Sequence, residues 1–488
     1  MSSLLMAGLL FTPLAWAVLC LLLAFRAARL ASVIGMLLQM ALSLALWAWV
    51  AEQGGFFYHL GGWAPPLGIG LRVDGLAVTF VLLTALVGAA CGLHAGLYLD
   101  PSRPWQRYFW PLFWMLWAGL NAVWLAGDLF NLYVGLELIT LAAVGLVVLG
   151  GAAPALEAAL RYLFAALIGS LAYLLGVALL YAEFGSLSLV GVGEGAGSAS
   201  PAASFALLIM LFGLAVKAAL FPGHTWLPAA HGIARAPVSA LLSGLVVKAA
   251  FYVAARVWLE LGPALEAAVV GVLLGVAGSA AVCWGSWQAL RQPQLKLVVA
   301  WSSVAQIGYL FLLFPLSHGV PEAVSLQAQQ GVTLQVISHA LAKSAMFLAA
   351  GNLILSVRSK RVEALAGVSR YLPLSLFSFG LAGVSLMGMP PSGGFAAKWL
   401  LLQASLASGQ WWWAAVLLVG GLLAAAYVFR IYRASFQEVE ESDPFYHPPR
   451  SLEIIPLVLA LLALGLGLVA EPVLSVLGLP FGGEVLSP

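Results

Sequence analysis

Apolar residues run along this chain in blocks of about twenty, separated by short polar segments. A block of that length, coiled as an α-helix, spans the roughly 30 Å hydrocarbon core of a bilayer. Fourteen such blocks are expected as spans, near 4–25, 30–50, 75–98, 109–126, 129–150, 162–182, 204–222, 237–257, 266–287, 297–316, 331–355, 373–405, 411–429 and 453–470. Short segments of strict alternation, which would mark a β-barrel, do not recur. The expected fold class is therefore an all-α polytopic membrane protein with about 14 transmembrane helices. No segment between blocks has room for a soluble core. The longest on the outer side, 51–74, carries a Trp-Ala-Pro-Pro turn, and GVGEGAGSASPAAS (191–204) reads as a loop. The segment 434–452 carries Glu438, Glu440, Glu441 and Asp443 and reads as surface.

Composition agrees: 63% of the 488 residues are hydrophobic and only 8% are charged, too few for a soluble surface. A net charge of +2 says nothing about nucleic acid, but the chain shows no basic domain that could bind it, so no nucleic-acid partner is expected. Cys20, Cys91 and Cys283 are scattered and form no CxxC, so neither zinc nor an iron–sulfur cluster is indicated. The first apolar run lacks the cationic start of a signal peptide and reads as a span beginning outside. Cations then test the count. Fifteen of the 21 lysines and arginines fall in loops on one side, Arg235, Lys296 and Arg358 among them, against Arg72 and Arg256 on the other. The positive-inside rule makes the fifteen cytoplasmic and places both termini outside.

The remaining four cations, Lys217, Lys248, Lys343 and Lys398, fall inside spans, as does Glu137. A lysine at the bilayer centre costs about 2.5–3.5 kcal/mol on insertion scales, so such groups persist when paired, neutralised or wetted. Polar company surrounds them: Ser302, Ser303, Gln306 and Tyr309 in the tenth span, and His339 four residues before Lys343 in the eleventh, on one helical face. Pro222 ends the seventh span, and Pro390 and Pro391 interrupt the twelfth. Proline frees backbone carbonyls that can hold water or ions where they line a cavity. Spans seven and twelve are five apart, and an odd-numbered unit repeated once must be inverted. The expectation is thus two inverted five-helix repeats with discontinuous helices 7 and 12. The chain divides into an N-terminal three-helix segment (1–107), a first repeat (108–258), a second repeat (259–433), and a loop with the last helix (434–488). A carboxylate and an ammonium hold each other charged in low dielectric, while desolvation lowers an amine's pKa. With histidine and hydroxyls between them, such groups make a proton relay.

At these residues the chain resembles a known family. GDLFNLYVGLELITL, LFPGHTWLPAAHGIARAPVSALLSGLVVKAAFYVAAR, AWSSVAQIGY and ISHALAKSAMFLAAGN are similar to the antiporter-like membrane subunits shared by Mrp-type sodium/proton antiporters, respiratory complex I and membrane-bound hydrogenases. The resemblance covers about 74–433 and implies a fourteen-helix core with inverted repeats. It places the family's span-five glutamate on Glu137, its span-seven lysine on Lys217, its connecting lysine on Lys248, its span-eleven polar position on His339 with Lys343 beside it, and its terminal residue on Lys398. DLFNLYV and a lysine at the last position are most similar to the MrpD-type member. The implied function is a proton-translocating subunit of a multi-subunit Na+/H+ antiporter in the bacterial cell membrane. Its partners would be other membrane subunits, including a second antiporter-like one, with protons and, as a candidate, Na+ as cargo. One alternative is the corresponding subunit of a redox-driven complex I or hydrogenase, whose cofactors would lie in other subunits, since this chain carries no cofactor motif. A purely structural assembly subunit is a second.

Each group also has a plainer reading. Glu137 and Lys217 also fit a static pair; Lys248 and Lys398 are candidates for snorkelling; His339 for a helix-packing hydrogen bond; and Lys343 for a merely local partner. His224 and His231 either feed protons in or are ordinary interfacial residues. His59, His94, His318 and His447 carry no assigned role, and Asp74 and Asp128 read as solvated ends.

Overall fold

The computed structural model describes residues 2–63, 68–151, 153–195, 200–262, 265, 267–438, 445–478 and 481–486. Helices occupy every expected apolar block. In chain order they are α1 (Ser2–Leu22), α2 (Phe25–Gln53), α3 (Gly75–Tyr98), α4 (Phe109–Leu125), α5 (Leu129–Val148), α6 (Ala153–Phe184), a short α7 (Leu189–Gly195), α8 (Pro201–Lys217), α9 (Trp226–Ile233) and α10 (Ala236–Leu241). After a wide turn at Leu242–Val246 come α11 (Val247–Leu261), α12 (Ala268–Arg291), α13 (Leu295–Leu310), α14 (Leu313–Leu316), α15 (Glu322–Val357), α16 (Pro373–Met387), α17 (Gly393–Ala407), α18 (Trp411–Ser435), α19 (Arg450–Gly465) and α20 (Ala470–Leu477). Among the described residues ten helical stretches are long and apolar enough to cross a membrane, or eleven if the bent pair α19–α20 is one span. This is a multi-pass membrane protein.

The stretch Ala236–Leu261 is wholly buried, and α13–α14 and α15 nearly so, whereas α1, α2, α6, α12 and α18 turn apolar faces outward. The inner helices are therefore where ionisable groups can leave lipid. Small residues set the closest helix contacts. A Cβ on Gly213 of α8 would lie 2.2 Å from the Gly169 carbonyl of α6, so these two helices touch backbone to backbone.

Several expectations change. A three-stranded sheet joins the helices: β1 (Gly55–His59) pairs antiparallel with β2 (Gly70–Val73) and parallel with β3 (Phe481–Leu486). The pairing of β1 with β3 joins segments far apart in the chain, which local pattern does not reveal. The Trp-Ala-Pro-Pro turn, at 63–66, lies outside the described residues beyond Trp63, and Glu440, Glu441 and Asp443 lie outside them too. Leu189–Gly195 is helix rather than loop. Arg256 is no loop residue: it is buried in α11 and donates to both oxygens of Asp74 and to the Tyr252 hydroxyl. Asp74 is accordingly no solvated end. It caps α3 through Ala77 N–H at 2.9 Å and pairs with Arg72 at 3.0 Å, while Arg72 also donates to Glu260. Lys296, expected in a loop, is buried in the first turn of α13 and donates to the Ala234 carbonyl. Glu453, at the start of α19, is buried and accepts from Ser375 N–H and Oγ, both at 3.0 Å.

Candidate proton pathway

Glu137 projects from α5, whose N-terminus is capped by Asp128 accepting from Asn131 N–H at 2.7 Å. The Lys217 ammonium, at the last residue of α8, lies 2.7 Å from Glu137 Oε1. Ser170 of α6 completes the group, its hydroxyl donating to Glu137 and accepting from Lys217. The glycine contact between α6 and α8 brings these three together, because the Lys217 stem runs across Gly169. Beyond Lys217 the helix stops. Ala219 takes a left-handed backbone, φ 58°, uncommon without glycine, and Pro222 follows before α9 begins.

A second group centres on α13. The Lys248 ammonium folds back onto the Ser243 carbonyl within the wide turn before α11. The Ser243 hydroxyl meets Ser303 Oγ at 2.8 Å. Ser303, Ser302 and Lys343 all donate to one carbonyl, that of Val299, at 3.1, 3.0 and 3.0 Å, and Lys343 also donates to Ser302. Lys248 and Lys343, from two different helices, are thus joined through residue Ser243, the Ser303 hydroxyl and the Val299 carbonyl. His339 lies one turn before Lys343 on the same face of α15. Its two ring nitrogens are buried and make no hydrogen bond among the described residues.

The third group lies at the break between α16 and α17. α16 ends at Met387, Pro390 and Pro391 follow, and Ser392 caps α17 through Phe395 N–H. Lys398, two turns into α17, reaches back to the carbonyls of Leu386 (2.8 Å) and Met387 (3.2 Å). These are end-of-helix carbonyls with no partner further along α16, and they carry the negative end of its dipole. Gln306 of α13 donates to the same Leu386 carbonyl at 3.2 Å and accepts from Gln335 at 2.9 Å. Ser302 and Gln306 are four apart on α13, on one face, so α13 links the second group to the third. Tyr309 is not a hydrogen-bond link among the described residues: its hydroxyl is buried and makes no hydrogen bond there, while its ring lies 4.6 Å from the Lys398 ammonium.

Lys217 and Lys248 share no hydrogen bond among the described residues, so the first group stands apart from the other two. His231 is buried against Phe347, ring centroids 4.6 Å apart, and His224 is buried against Phe221 and Trp301. His94 bonds Asn352 at 3.0 Å. Sequence reasoning missed Ser170, Ser243 and Gln335. A serine beside Gly169 on an otherwise apolar helix is a usable signal for the first; the other two have none as distinct.

The chain's likeness to known proteins bears on this arrangement. A family profile described as NADH:quinone oxidoreductase/Mrp antiporter, transmembrane part, matches residues 126–424, which include all three groups. The N-type subunit of NADH-quinone oxidoreductase from Desulforudis audaxviator is 36% identical over 389 residues, 78% of this chain and 75% of that protein. The D-type subunit of the Na(+)/H(+) antiporter from Alkalihalophilus pseudofirmus is 28% identical over 466 residues, 94% of this chain and 91% of that one. Among solved structures, a chain of the Mrp complex from a Dietzia species superposes with a TM-score of 0.88 at 26% identity, covering 97% of this chain and 96% of that one. A chain of respiratory complex I from Thermus thermophilus gives 0.77 at 27%, covering 96% and 98%. The chain belongs to the transmembrane family of NADH:quinone oxidoreductase and Mrp antiporter subunits.

Proposed function

We propose that this chain is the MrpD-like, proton-translocating member of a multi-subunit Na+/H+ antiporter in the cell membrane. Protons pass along Glu137, Lys217, Lys248, His339, Lys343 and Lys398, with Ser302, Ser303 and Gln306 bridging and internal water crossing the gap between Lys217 and Lys248. The observation that carries this reading is the junction on α13, where Lys248, Lys343 and Lys398 are tied to one helix through hydroxyls, three carbonyls and an amide. Static burial of three amines would need no such shared acceptors. The fourteen spans, the inverted repeats with breaks at Pro222 and Pro390–Pro391, and the outward termini belong to the same reading. Coverage of 94% of the chain by a D-type antiporter subunit supports the choice of complex. Replacing Glu137 or Lys217 by alanine in the assembled complex is expected to abolish sodium/proton exchange; undiminished exchange overturns the proposal.

A second reading is favoured by the 36% identity to an N-type subunit of NADH-quinone oxidoreductase. Here the same relay is driven by electron transfer in other subunits. The co-purifying subunits separate the two: iron–sulfur proteins for the redox machine, further small membrane subunits for the antiporter.

A further inference from the structure

Helix α19 belongs to neither of the proposed repeats, yet it lies along the broken helix that carries Lys398. At its start, Glu453 is buried and takes both hydrogen bonds from Ser375, N–H and Oγ, on a single oxygen, Oε2, each at 3.0 Å. Ser375 stands in the first turn of α16, and Leu372, the residue before that helix, offers no side-chain acceptor. Backbone N–H groups in a first turn have no partner within the helix and carry the positive end of its dipole. Glu453 therefore caps α16 from a neighbouring helix. The same turn of α19 is held from α15: Asn352 donates to the Leu452 carbonyl at 2.8 Å and to Ser375 Oγ at 3.4 Å, while its Oδ1 meets His94 of α3 at 3.0 Å. The far end of α19 reaches the break itself. A Cβ on Gly467, two residues past α19, would collide with the Pro391 carbonyl and Ser392, and one on Gly393 of α17 would lie 2.7 Å from Leu466. The contacts follow in the same chain order on both sides, so α19 runs beside α16 in the same direction, touching it at its start and at its break.

We infer that α19 is a splint for the broken helix, with Glu453 and Gly467 as positioning residues that fix where the Leu386 and Met387 carbonyls meet Lys398. Those carbonyls end α16, and Lys398 bonds to both. The 15 residues of α16 make one hydrogen-bonded rod of about 22 Å. Holding its start therefore sets the place of its end. The inference rests on the relay proposed above, since proton flux through Lys398 is what the splint serves, and it gives the helix after the repeats a part in that flux.

The test uses the assembled complex. Amide hydrogen exchange is followed at the break, where Gly388 N–H bonds the Ser385 carbonyl and Met389 N–H that of Val384. Glu453→Ala removes both bonds to Ser375, whereas Glu453→Gln keeps one oxygen that accepts them. Exchange at the break should quicken roughly tenfold or more in Glu453→Ala and stay within about twofold of the parent in Glu453→Gln. Gly467→Ala, acting at the other end, should quicken it as well, and it carries the test if Glu453→Ala does not assemble. Unchanged exchange in the alanine variants, or the same rise in Glu453→Gln, overturns the splint. Proton flux per complex is then compared in two backgrounds. Glu453→Ala should lower flux roughly fivefold in the parent and less than about twofold in Lys398→Leu, because its effect passes through Lys398. No loss in the parent, or equal losses in both backgrounds, overturns the positioning of Lys398. Undiminished flux in Lys398→Leu alone would refute the relay and leave the exchange result standing, so the two failures are distinguishable.

Discussion

Lys398 of α17 and Gln306 of α13 donate to one and the same acceptor, the Leu386 carbonyl at the end of α16. The Lys398 ammonium is thereby tied to α13, whose Val299 carbonyl also accepts from Lys343. Arginine at position 398 would keep the charge and the donors but cannot release a proton. In the relay, Lys398→Arg should therefore be as damaging as Lys398→Leu, both lowering proton flux by roughly 100-fold, about twice the 1.4 kcal/mol that makes one factor of ten. Flux measured per assembled complex checks this. A fully active arginine variant would reduce Lys398 to a fixed charge.

Gly388 closes α16 with φ 81°, and a Cβ there would lie 2.7 Å from Lys398 Cδ. Gly388→Ala thus meets two penalties, a left-handed backbone costing about 1–2 kcal/mol and a displaced lysine stem. The melting temperature of the purified complex should fall and flux should fall with it. An unchanged melting temperature would contradict the account.

Ser170 contacts both members of the Glu137–Lys217 pair. Hydrogen bonds to charged groups are worth about 1.5–3 kcal/mol, so Ser170→Ala should slow proton flux by roughly tenfold or more, whereas Ser170→Thr, which keeps the hydroxyl, should lose less. Equal flux in the two variants would mean that the hydroxyl does not matter.

Burial pushes the Asp74 carboxyl up, but Arg256, Arg72 and the Ala77 N–H together outweigh it and hold it at about 2. A folded value below the unfolded one, about 3.9, stabilises the fold above pH 4. That contribution is lost as the pH falls from 4 through 2. Asp74→Asn would leave a buried guanidinium without its counter-charge and should cost about 3–5 kcal/mol at pH 7. Thermal unfolding of both proteins at pH 7 and pH 2.5 checks the sign: their difference should shrink at the lower pH.

Much of the helix plan was legible because hydrocarbon thickness dictates block length, and the five ionisable residues in apolar blocks stood out for the same energetic reason. Arg256 and Lys296 were misplaced because a hydropathy window registers a cation near a helix end without showing what it pairs with. Asp74 looked solvated for the same reason, its partner lying 182 residues away. The wide turn at Leu242–Val246 has no residue signature, yet it supplies the carbonyl that holds Lys248. Shared acceptors such as Val299 and Leu386 are backbone atoms, and their roles follow from packing alone.

The two broken helices end differently. Beside Lys217 stands a carboxylate, a group able to take a hydrogen ion back; among the described residues the amine of Lys398 bonds only carbonyl oxygens and lies against an aromatic ring, which cannot. In the proposed relay a proton on Lys217 thus has a carboxylate hydrogen-bonded to it, whereas one on Lys398 has none. No change of pH can titrate a peptide carbonyl away, so the acceptors that hold Lys398 are the same at any pH.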